Sequence, residues 1–412
     1  MTHAFEDVRR HVRAGDIPSA VRALRPVAET VPVGELAAEV RDLAEAVGFG
    51  DLAKAAKKAA RKPGEPRRLH EFGYLCVERG LGFAAVPALR EALRLAPGAR
   101  PLLSELVAAL ESDDRHAEAT RELLRHESLL EPWPGQYLLA YNALLAGDLA
   151  TARDRAARLP DPVDGTWTWA HGRLGRMLAR AEAVAAVAPL DATDLRGWQF
   201  ALTGTVLGSL SPHGFEVMTG RYAYLSDSYE LCRLGLDRLG TALEAAGRRP
   251  AAVSALPGRS DRILARAAAE LLGLEPVPYE PGRPDTLVVA YDLNAHDRDL
   301  LPALRERAPG QVLYEHATSW TEGAALPADF STLQRQLGPE PWGEQLGMDG
   351  PGPADDRPEE EIARDIVAAA PEPEAAGDEE AFRAFAAAVA PLWLAHPRDP
   401  LSSTGPVHSS RF

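Results

Sequence analysis

The chain has 412 residues, of which 46% are hydrophobic and 25% are charged, and its formal net charge at pH 7 is −15. A chain of this length usually forms two or three domains, and this composition is typical of globular proteins. The negative charge argues against a nucleic-acid partner and against an anionic membrane surface, because both require a basic protein face.

The first residues carry acidic side chains early and lack an apolar run, so we expect no signal peptide. No stretch of the sequence approaches the roughly 20 apolar residues that span a bilayer. The sequence therefore predicts a cytoplasmic protein without membrane contact.

A spacing pattern repeats along residues 4–162. Its clearest copy covers residues 69–97 and places small residues at Gly73 and Ala85, where two antiparallel helices would cross closely. The other positions of this copy are Leu69, Phe72, Cys76, Leu89, Ala92 and Pro97. The turn at 15–20 also matches the turn at 147–152. This spacing resembles the tetratricopeptide repeat, in which each unit is a helical hairpin.

The resemblance implies an all-α, tetratricopeptide-like solenoid over residues 1–187, closed by a helix at 166–187. In this family the concave surface, lined by the first helix of each hairpin, commonly holds a peptide segment or a helix. By position, the lining side chains are His70, Tyr74, Tyr137 and Tyr141. The alternative is that these side chains pack between repeats. Well-known members bind a C-terminal carboxylate through a Lys and Asn pair, but this chain has His70 and Tyr74 at the matching positions.

From about residue 190 the pattern changes to alternating strands and helices. Leu195–Leu210 reads as an apolar helix and 221–225 as β-like. Further strands are predicted at 251–256, 276–279, 286–291 and 311–314, with helices at 263–272 and 297–307. Such alternation predicts an α/β domain over residues 188–348, with a mostly parallel, three-layer sheet.

Three polar loops follow predicted strands, at 257–262, 292–297 and 315–320. Ligands of open α/β sheets bind outside the carboxyl ends of the strands. The first loop brings arginines to a helix N-terminus, which suits an anion, and the other two each bring a histidine and a carboxylate. The candidate ligand-binding residues are Arg259, Ser260, Arg262, Asp292, Asn294, His296, His316 and Thr318. The alternative is an internal salt-bridge network between Arg259 or Arg262 and Asp292.

Residues 256–279 and 288–293 faintly resemble half of a phosphoribosyltransferase. In that family a strand ending in paired acids precedes a Thr-Thr-Gly phosphate loop. Here Tyr291-Asp292 keeps one acid, and residues 294–297 lack the Thr-Thr-Gly. The resemblance implies a degenerate member of the family, and its phosphate-binding residues are not carried over to this chain.

The C-terminal part reads as an acidic, disordered linker at 349–381, followed at 382–412 by an amphipathic helix and a tail that is loose from residue 396. The two cysteines, Cys76 and Cys232, lie in apolar helical patterns, which predicts buried thiols. The cysteines show no metal-ligand spacing, so the sequence predicts no metal site, and it indicates no cofactor.

The leading functional hypothesis is an interaction scaffold or adaptor. A protein or peptide partner would occupy the groove of the helical array, and the α/β domain would bind a small anionic ligand. The alternative is a transferase-type enzyme, similar to a phosphoribosyltransferase or using a nucleotide or sugar phosphate. Its site would lie at the same strand ends.

Overall fold

The computed structural model describes residues 5–163, 165–209, 227–297, 299–319, 326–335, 339–344, 346–347, 350–371, 379–401, 403 and 405–407. The chain divides into two compact units, Met1–His171 and Gly172–Phe412. This division comes earlier in the chain than the predicted boundary at residue 187. Among the described residues, no helix combines the length and the apolar character that crossing a membrane requires.

The first unit consists of helices arranged in antiparallel pairs. The pairs are α1 (Glu6–Ala14) with α2 (Ile17–Leu24), α3 (Val33–Ala46) with α4 (Gly50–Arg61), α5 (Pro66–Glu78) with α6 (Gly82–Leu95), α7 (Arg100–Glu111) with α8 (His116–Arg125), and α9 (Tyr137–Leu145) with α10 (Leu149–Ala157). Each pair from α3 onward also packs on the next pair. Helix α11 (Gly165–Ala185) follows.

The two turns that match in sequence have the same local structure. Asp16 and Asp148 each cap the following helix, because their carboxylates accept hydrogen bonds from the backbone N–H groups of Ser19 (3.1 Å) and Thr151 (3.0 Å). The glycine before each aspartate has a left-handed backbone, with φ values of 73° and 82°. Hence α2 and α10 begin in the same way.

Ion pairs connect parts of the first unit that are distant in sequence. Arg90 of α6 donates to Glu29, which follows α2, at 2.6 Å, and to Glu118 of α8 at 2.5 Å. Arg25 forms an ion pair with Asp113, at the end of α7. In a linear solenoid each repeat contacts only its neighbours. These contacts from the first hairpin to the third and fourth go beyond that pattern.

The second unit is built on a six-stranded sheet in which all neighbouring strands are parallel, which confirms the predicted parallel sheet. The spatial order is β1-β6-β5-β4-β2-β3. The strands are β1 (Val206–Leu207), β2 (Ala252–Ala255), β3 (Glu275–Pro276), β4 (Thr286–Ala290), β5 (Val312–Ser319) and β6 (Phe330–Arg335). A separate antiparallel pair joins β7 (Leu346–Gly347) and β8 (Gly350–Pro351).

Helices cover both faces of this sheet around β5. Their bounds are α12 (Leu195–Thr203), α13 (Tyr229–Ala245), α14 (Arg259–Leu272), α15 (Leu301–Arg305), α16 (Glu359–Ala368) and α17 (Glu379–Val389). Leu313 packs in one apolar cluster with Leu301 and Leu304 of α15. His316 contacts Cys232 of α13. Because alternate residues of a strand face opposite sides, α13 and α15 lie on opposite faces.

The structure corrects three predicted elements. The third predicted loop, 315–320, belongs to β5 as far as Ser319, so His316 and Thr318 lie within a strand. The helix predicted at 195–210 ends at Thr203, because Gly204 adopts a left-handed conformation (φ 83°), and Val206–Leu207 form the edge strand β1. The linker at 349–381, predicted to be disordered, contains α16. Its acidic first turn is favoured by the helix dipole, and Ile362 and Ile366 are buried against α13 and α14.

The tail predicted to be loose from residue 396 also packs against the rest of the second unit. Arg398 is 1% exposed because its guanidinium group pairs with the buried carboxylate of Asp329. The amphipathic helix α17 packs on α13, and Phe385 of α17 contacts Phe200 of α12. The predicted β-like segment 221–225 and Trp320 of the third loop lie outside the described residues.

Candidate functional site

A cavity of about 380 Å³ lies at the carboxyl ends of β2 and β3. Most of its wall is apolar, but Arg262 and Arg266 also line it. The hydroxyl of Tyr279, another lining residue, is buried and has no hydrogen-bond partner among the described residues. Burial raises the pKa of Tyr279. The cavity therefore combines apolar walls with two arginine residues.

The two arginines of the cavity form ion pairs with the first turn of α16. Arg262 Nε lies 2.9 Å from Glu359 Oε1, and Arg266 Nη2 lies 2.9 Å from Glu360 Oε1. The hydrogen bond between Arg262 and Glu359 raises the pKa of the arginine and lowers that of the glutamate. An anion in the cavity would compete with Glu359 for Arg262.

The other predicted residues of the first loop have different surroundings. Arg259 Nη2 donates to the backbone carbonyls of Asp355 (2.8 Å) and Arg357 (2.9 Å). Ser260 Oγ donates to Glu340 (3.2 Å) and accepts from the indole N–H of Trp342 (3.0 Å). Arg259 and Ser260 therefore bind the segment that precedes α16, whereas Arg262 borders the cavity. Arg262 forms an ion pair with Glu359, whereas the sequence suggested Asp292 as its partner.

The strand order creates a switch point between β2 and β4, because the chain continues from β2 to β3 on one side and returns to β4 on the other. Ligands of open α/β sheets commonly bind at such a point. Here the buried Asp261 of α14 occupies it, accepting from the N–H of Tyr291 (2.7 Å) and lying 3.2 Å from His296 Nε2. The hydrogen bond with Asp261 raises the pKa of His296. The first and second predicted loops thus meet at Asp261.

Asp292 and Asn294 belong to the local turn after β4, in which Asp292 accepts a hydrogen bond from the N–H of Asn294 at 2.8 Å. Thr318 is buried on β5. Its neighbour Glu315 is also buried and accepts from the N–H of Leu293 at 2.8 Å. Burial raises the pKa of Glu315, and the hydrogen bonds from Leu293 and Thr318 act against this rise.

His316 lies in a buried polar cluster with Asp227 and Cys232, which we call the His316 cluster. His316 Nε2 is 3.0 Å from both carboxylate oxygens of Asp227 and 3.5 Å from Cys232 Sγ. One ligating atom from each side chain lies within 4.8 Å of the others. The side chains of His316 and Asp227 are fully buried, and so is Cys232.

Three neighbouring hydroxyl groups orient the His316 cluster. Tyr314, two residues before His316 on the same face of β5, places its hydroxyl 3.2 Å from His316 Nδ1. Thr332, opposite His316 on β6, lies 2.7 Å from the Tyr314 hydroxyl. Tyr291 donates a hydrogen bond to Asp227. Burial raises the pKa of Tyr314 well above its usual value, so its phenol stays protonated at neutral pH.

The geometry of the His316 cluster restricts its chemistry. In a relay of a nucleophile, a histidine and an acid, the nucleophile and the acid contact opposite nitrogens of the imidazole ring. Here Cys232 and Asp227 contact the same nitrogen, Nε2. The cluster instead brings a thiol, an imidazole and a carboxylate towards one point, and these are the groups that ligate zinc in proteins.

Sequence reasoning selected His316 but missed its partners. Asp227 lies at the start of α13, where Ser228 caps the helix by accepting a 3.1 Å hydrogen bond from the N–H of Leu231. Cys232 was predicted to be a buried thiol, which the structure confirms. These two residues lie 89 and 84 positions before His316. No local motif could have connected them.

The four groove residues predicted in the first unit differ in exposure. Tyr137 is only 4% exposed, and its ring stacks on Tyr141 at 5.7 Å and on Trp133 at 5.6 Å between centroids. Tyr74 of α5 is 44% exposed. His70, one turn before Tyr74, is partly buried, and within the described ranges its Nε2 atom has no hydrogen-bond partner. Tyr137 therefore packs in the interior, whereas His70 and Tyr74 share a partly exposed face of α5.

Comparison with known proteins finds no family model, no curated protein and no solved structure that matches the chain.

Proposed function

We propose that this chain is a cytoplasmic adaptor whose α/β unit binds a small anionic ligand and whose helical unit binds a protein segment. The cavity at the ends of β2 and β3 carries the ligand part of the proposal. Its volume of about 380 Å³ lies in the range of small-molecule sites. Apolar walls beside Arg262 and Arg266 suit a ligand with a flat or apolar body and a phosphate or carboxylate group.

A thermal-shift screen of nucleotides and sugar phosphates tests this site. We expect at least one of these anions to raise the melting temperature of the wild-type chain, since a ligand at about 100 times its Kd adds about 2.7 kcal/mol of stability. Arg262→Ala removes the cation and should abolish the shift.

The matched control is Glu359→Gln, which breaks the same ion pair but keeps the arginine. Because Glu359 competes with the ligand for Arg262, this variant should retain the shift or increase it. Equal loss of the shift in both variants, or the absence of any shift in the wild type, would mean that the ion pair is only structural.

The helical unit supports the second part of the proposal. The helical hairpins, the matching caps at Asp16 and Asp148, and the buried Gly73 accord with a tetratricopeptide-like array. In such an array the face of α5 that carries His70 and Tyr74 would contact a bound segment. Tyrosine is enriched among the hot-spot residues that contribute most of the binding energy at protein interfaces.

Selection of peptides from a random library on the full-length chain tests this face. Tyr74→Ala should weaken the selected peptides at least tenfold, which is about 1.4 kcal/mol. Leu124→Ala is the control, because Leu124 is 38% exposed on α8, the second helix of its hairpin. If both variants bind the selected peptides as the wild type does, the α5 face is not the binding surface.

The transferase alternative requires Arg259, Asp292, His296 and His316 around one ligand. In the described part of the chain, Arg259 binds carbonyls of residues 355 and 357, His296 pairs with Asp261, and His316 pairs with Asp227. Tyr291 links the last two of these pairs, because its N–H donates to Asp261 and its hydroxyl donates to Asp227. All three groups are already bound by protein partners, and this favours the adaptor over an enzyme working at the three loops.

A further inference from the structure

We propose that Asp227, Cys232 and His316 bind a zinc ion, a role that goes beyond the proposed adaptor function and does not depend on the cavity. Ligands at the usual Zn–N and Zn–S lengths of about 2.0 and 2.3 Å are about 3.5 Å apart at a tetrahedral angle. The distance from His316 Nε2 to Cys232 Sγ is 3.5 Å. The 3.0 Å distance from Nε2 to Asp227 would widen by only a few tenths of an ångström.

The groups around the His316 cluster are those that a zinc site requires. A zinc-bound histidine usually donates its second ring N–H to an oxygen, which fixes the tautomer. Tyr314 provides that oxygen at His316 Nδ1, and it donates its own proton towards Thr332. The free lone pair of Nε2 then faces Asp227 and Cys232. Tyr291 holds the carboxylate of Asp227 through a second hydrogen bond.

The position of Thr332 is fixed by the close approach of α13 to β6. A Cβ atom at Gly235 of α13 would lie 2.6 Å from Thr332 Cγ2, so only glycine allows this contact. The same approach brings Cys232, one turn earlier on α13, over His316. The packing of α13 on the sheet therefore sets the positions of the thiol and of the hydroxyl that orients the imidazole.

Charge gives an independent reason for a cation. The side chains of Asp227 and His316 are 0% exposed, and Cys232 is equally buried. An ionised carboxylate is costly in such surroundings unless it is paired or coordinates a metal. A divalent cation would compensate the carboxylate and the thiolate together. Three protein ligands leave the fourth position of a tetrahedral ion for water or another group.

The metal-free alternative is a hydrogen-bond network with the opposite tautomer. In that network His316 Nε2–H donates to Asp227, and Nδ1 accepts from the Tyr314 hydroxyl. Cys232 then remains a protonated, buried thiol. The two arrangements differ in one measurable respect, because only the zinc site places a thiolate on a metal ion.

Titration of the full-length chain with Co²⁺ and Zn²⁺ after chelator treatment separates the two arrangements. We expect one equivalent of Co²⁺ to bind and to give a thiolate-to-cobalt charge-transfer band, which one equivalent of Zn²⁺ then removes. Cys76→Ala is the matched control, because Cys76 is the other cysteine of the chain and is also buried. This variant should give the wild-type titration, and Cys232→Ala should give no band.

Tyr314→Phe keeps all three ligands and removes the hydroxyl that orients His316. Loss of a group that hydrogen-bonds a metal-ligating histidine typically lowers metal affinity by about 10–100-fold, and we expect a decrease in this range. Absence of the charge-transfer band in the wild type, or its persistence in Cys232→Ala, would overturn the proposal. The wild-type and Cys76→Ala spectra decide the matter even if Cys232→Ala does not fold.

Discussion

Replacing Asp329 with alanine should lower the free energy of unfolding by about 3–5 kcal/mol, because it leaves buried guanidinium groups without a counter-charge. Asp329 is 3% exposed, and Arg398, its partner from the C-terminal segment, is 1% exposed. The distances from Arg398 Nη2 and Nε to the two carboxylate oxygens are 2.6 and 3.1 Å. Arg307 forms a further ion pair with the same carboxylate.

Asp329 also holds the sheet to the C-terminal segment. Its carboxylate accepts a hydrogen bond from the N–H of Leu313 on β5 at 2.8 Å, and its carbonyl accepts from the indole of Trp393 at 2.9 Å. The alanine variant keeps the carbonyl but loses every carboxylate contact. Urea denaturation of the full-length variant at pH 7 would measure the loss, provided that the unfolding of the second unit is followed separately.

The Asp329 carboxylate should make the stability of the protein depend on pH. Burial alone would raise the pKa of Asp329, but the charges and hydrogen bonds of Arg398 and Arg307 lower it to about 2. A carboxylate whose pKa is depressed on folding stabilises the protein above its unfolded pKa of about 4. This contribution, on the order of 2 kcal/mol, should be lost as the pH falls from about 4 to 2. The Asp329→Ala variant should lack that part of the acid transition.

A surface aspartate provides the control for both measurements. Asp365 of α16 pairs with Arg357 at 2.8 Å, but the two side chains are 46% and 45% exposed. Exposed ion pairs contribute about 0–1 kcal/mol. Asp365→Ala should therefore leave the unfolding curve almost unchanged. If Asp329→Ala is no more destabilising than Asp365→Ala, the buried network does not hold the C-terminal segment.

The sequence predicted the central elements of the sheet because their signals are local. The apolar run at Thr286–Ala290 became the fully buried strand β4, and Gly273 ended α14 in a left-handed conformation (φ 65°). Strand β6 was missed because it carries Ser331 and Thr332, whose burial depends on the helices and strands around them. Strand β1 has only two residues, and the prediction continued the helix through the Gly204-Thr205 break that precedes it.

Some residues of the candidate sites could be predicted from local sequence signals, and others depend on tertiary packing. Arg262 and His316 were selected by a local rule, that polar residues at strand ends bind ligands, and their function stays a prediction. Asp227 and Cys232 could not be connected to His316, because their proximity arises from the packing of α13 over β5 and β6. The pairing of Arg262 with Glu359 was missed because the acidic run at 359–361 was interpreted as a linker.

Gly73→Val should lower the free energy of unfolding of the first unit by about 1–3 kcal/mol through overpacking. A Cβ atom at Gly73 would lie 2.6 Å from Leu89 Cγ and 2.8 Å from Leu89 Cδ2, which is closer than carbon atoms can approach. Leu89 is fully buried on α6 and cannot turn towards solvent. The valine must therefore push α5 and α6 apart or force Leu89 out of its preferred rotamer.

Gly50→Val is the control for this variant, because Gly50 lies in a helix of the same unit, α4, but is exposed and has no atom within 4 Å of its Cβ position. The control should change stability little, since only Gly73→Val creates a clash. The result bears on the tetratricopeptide-like register, which requires a small residue where the two helices of one hairpin cross. A melting temperature for Gly73→Val equal to that of the control would place the crossing elsewhere and remove this support for the repeat assignment.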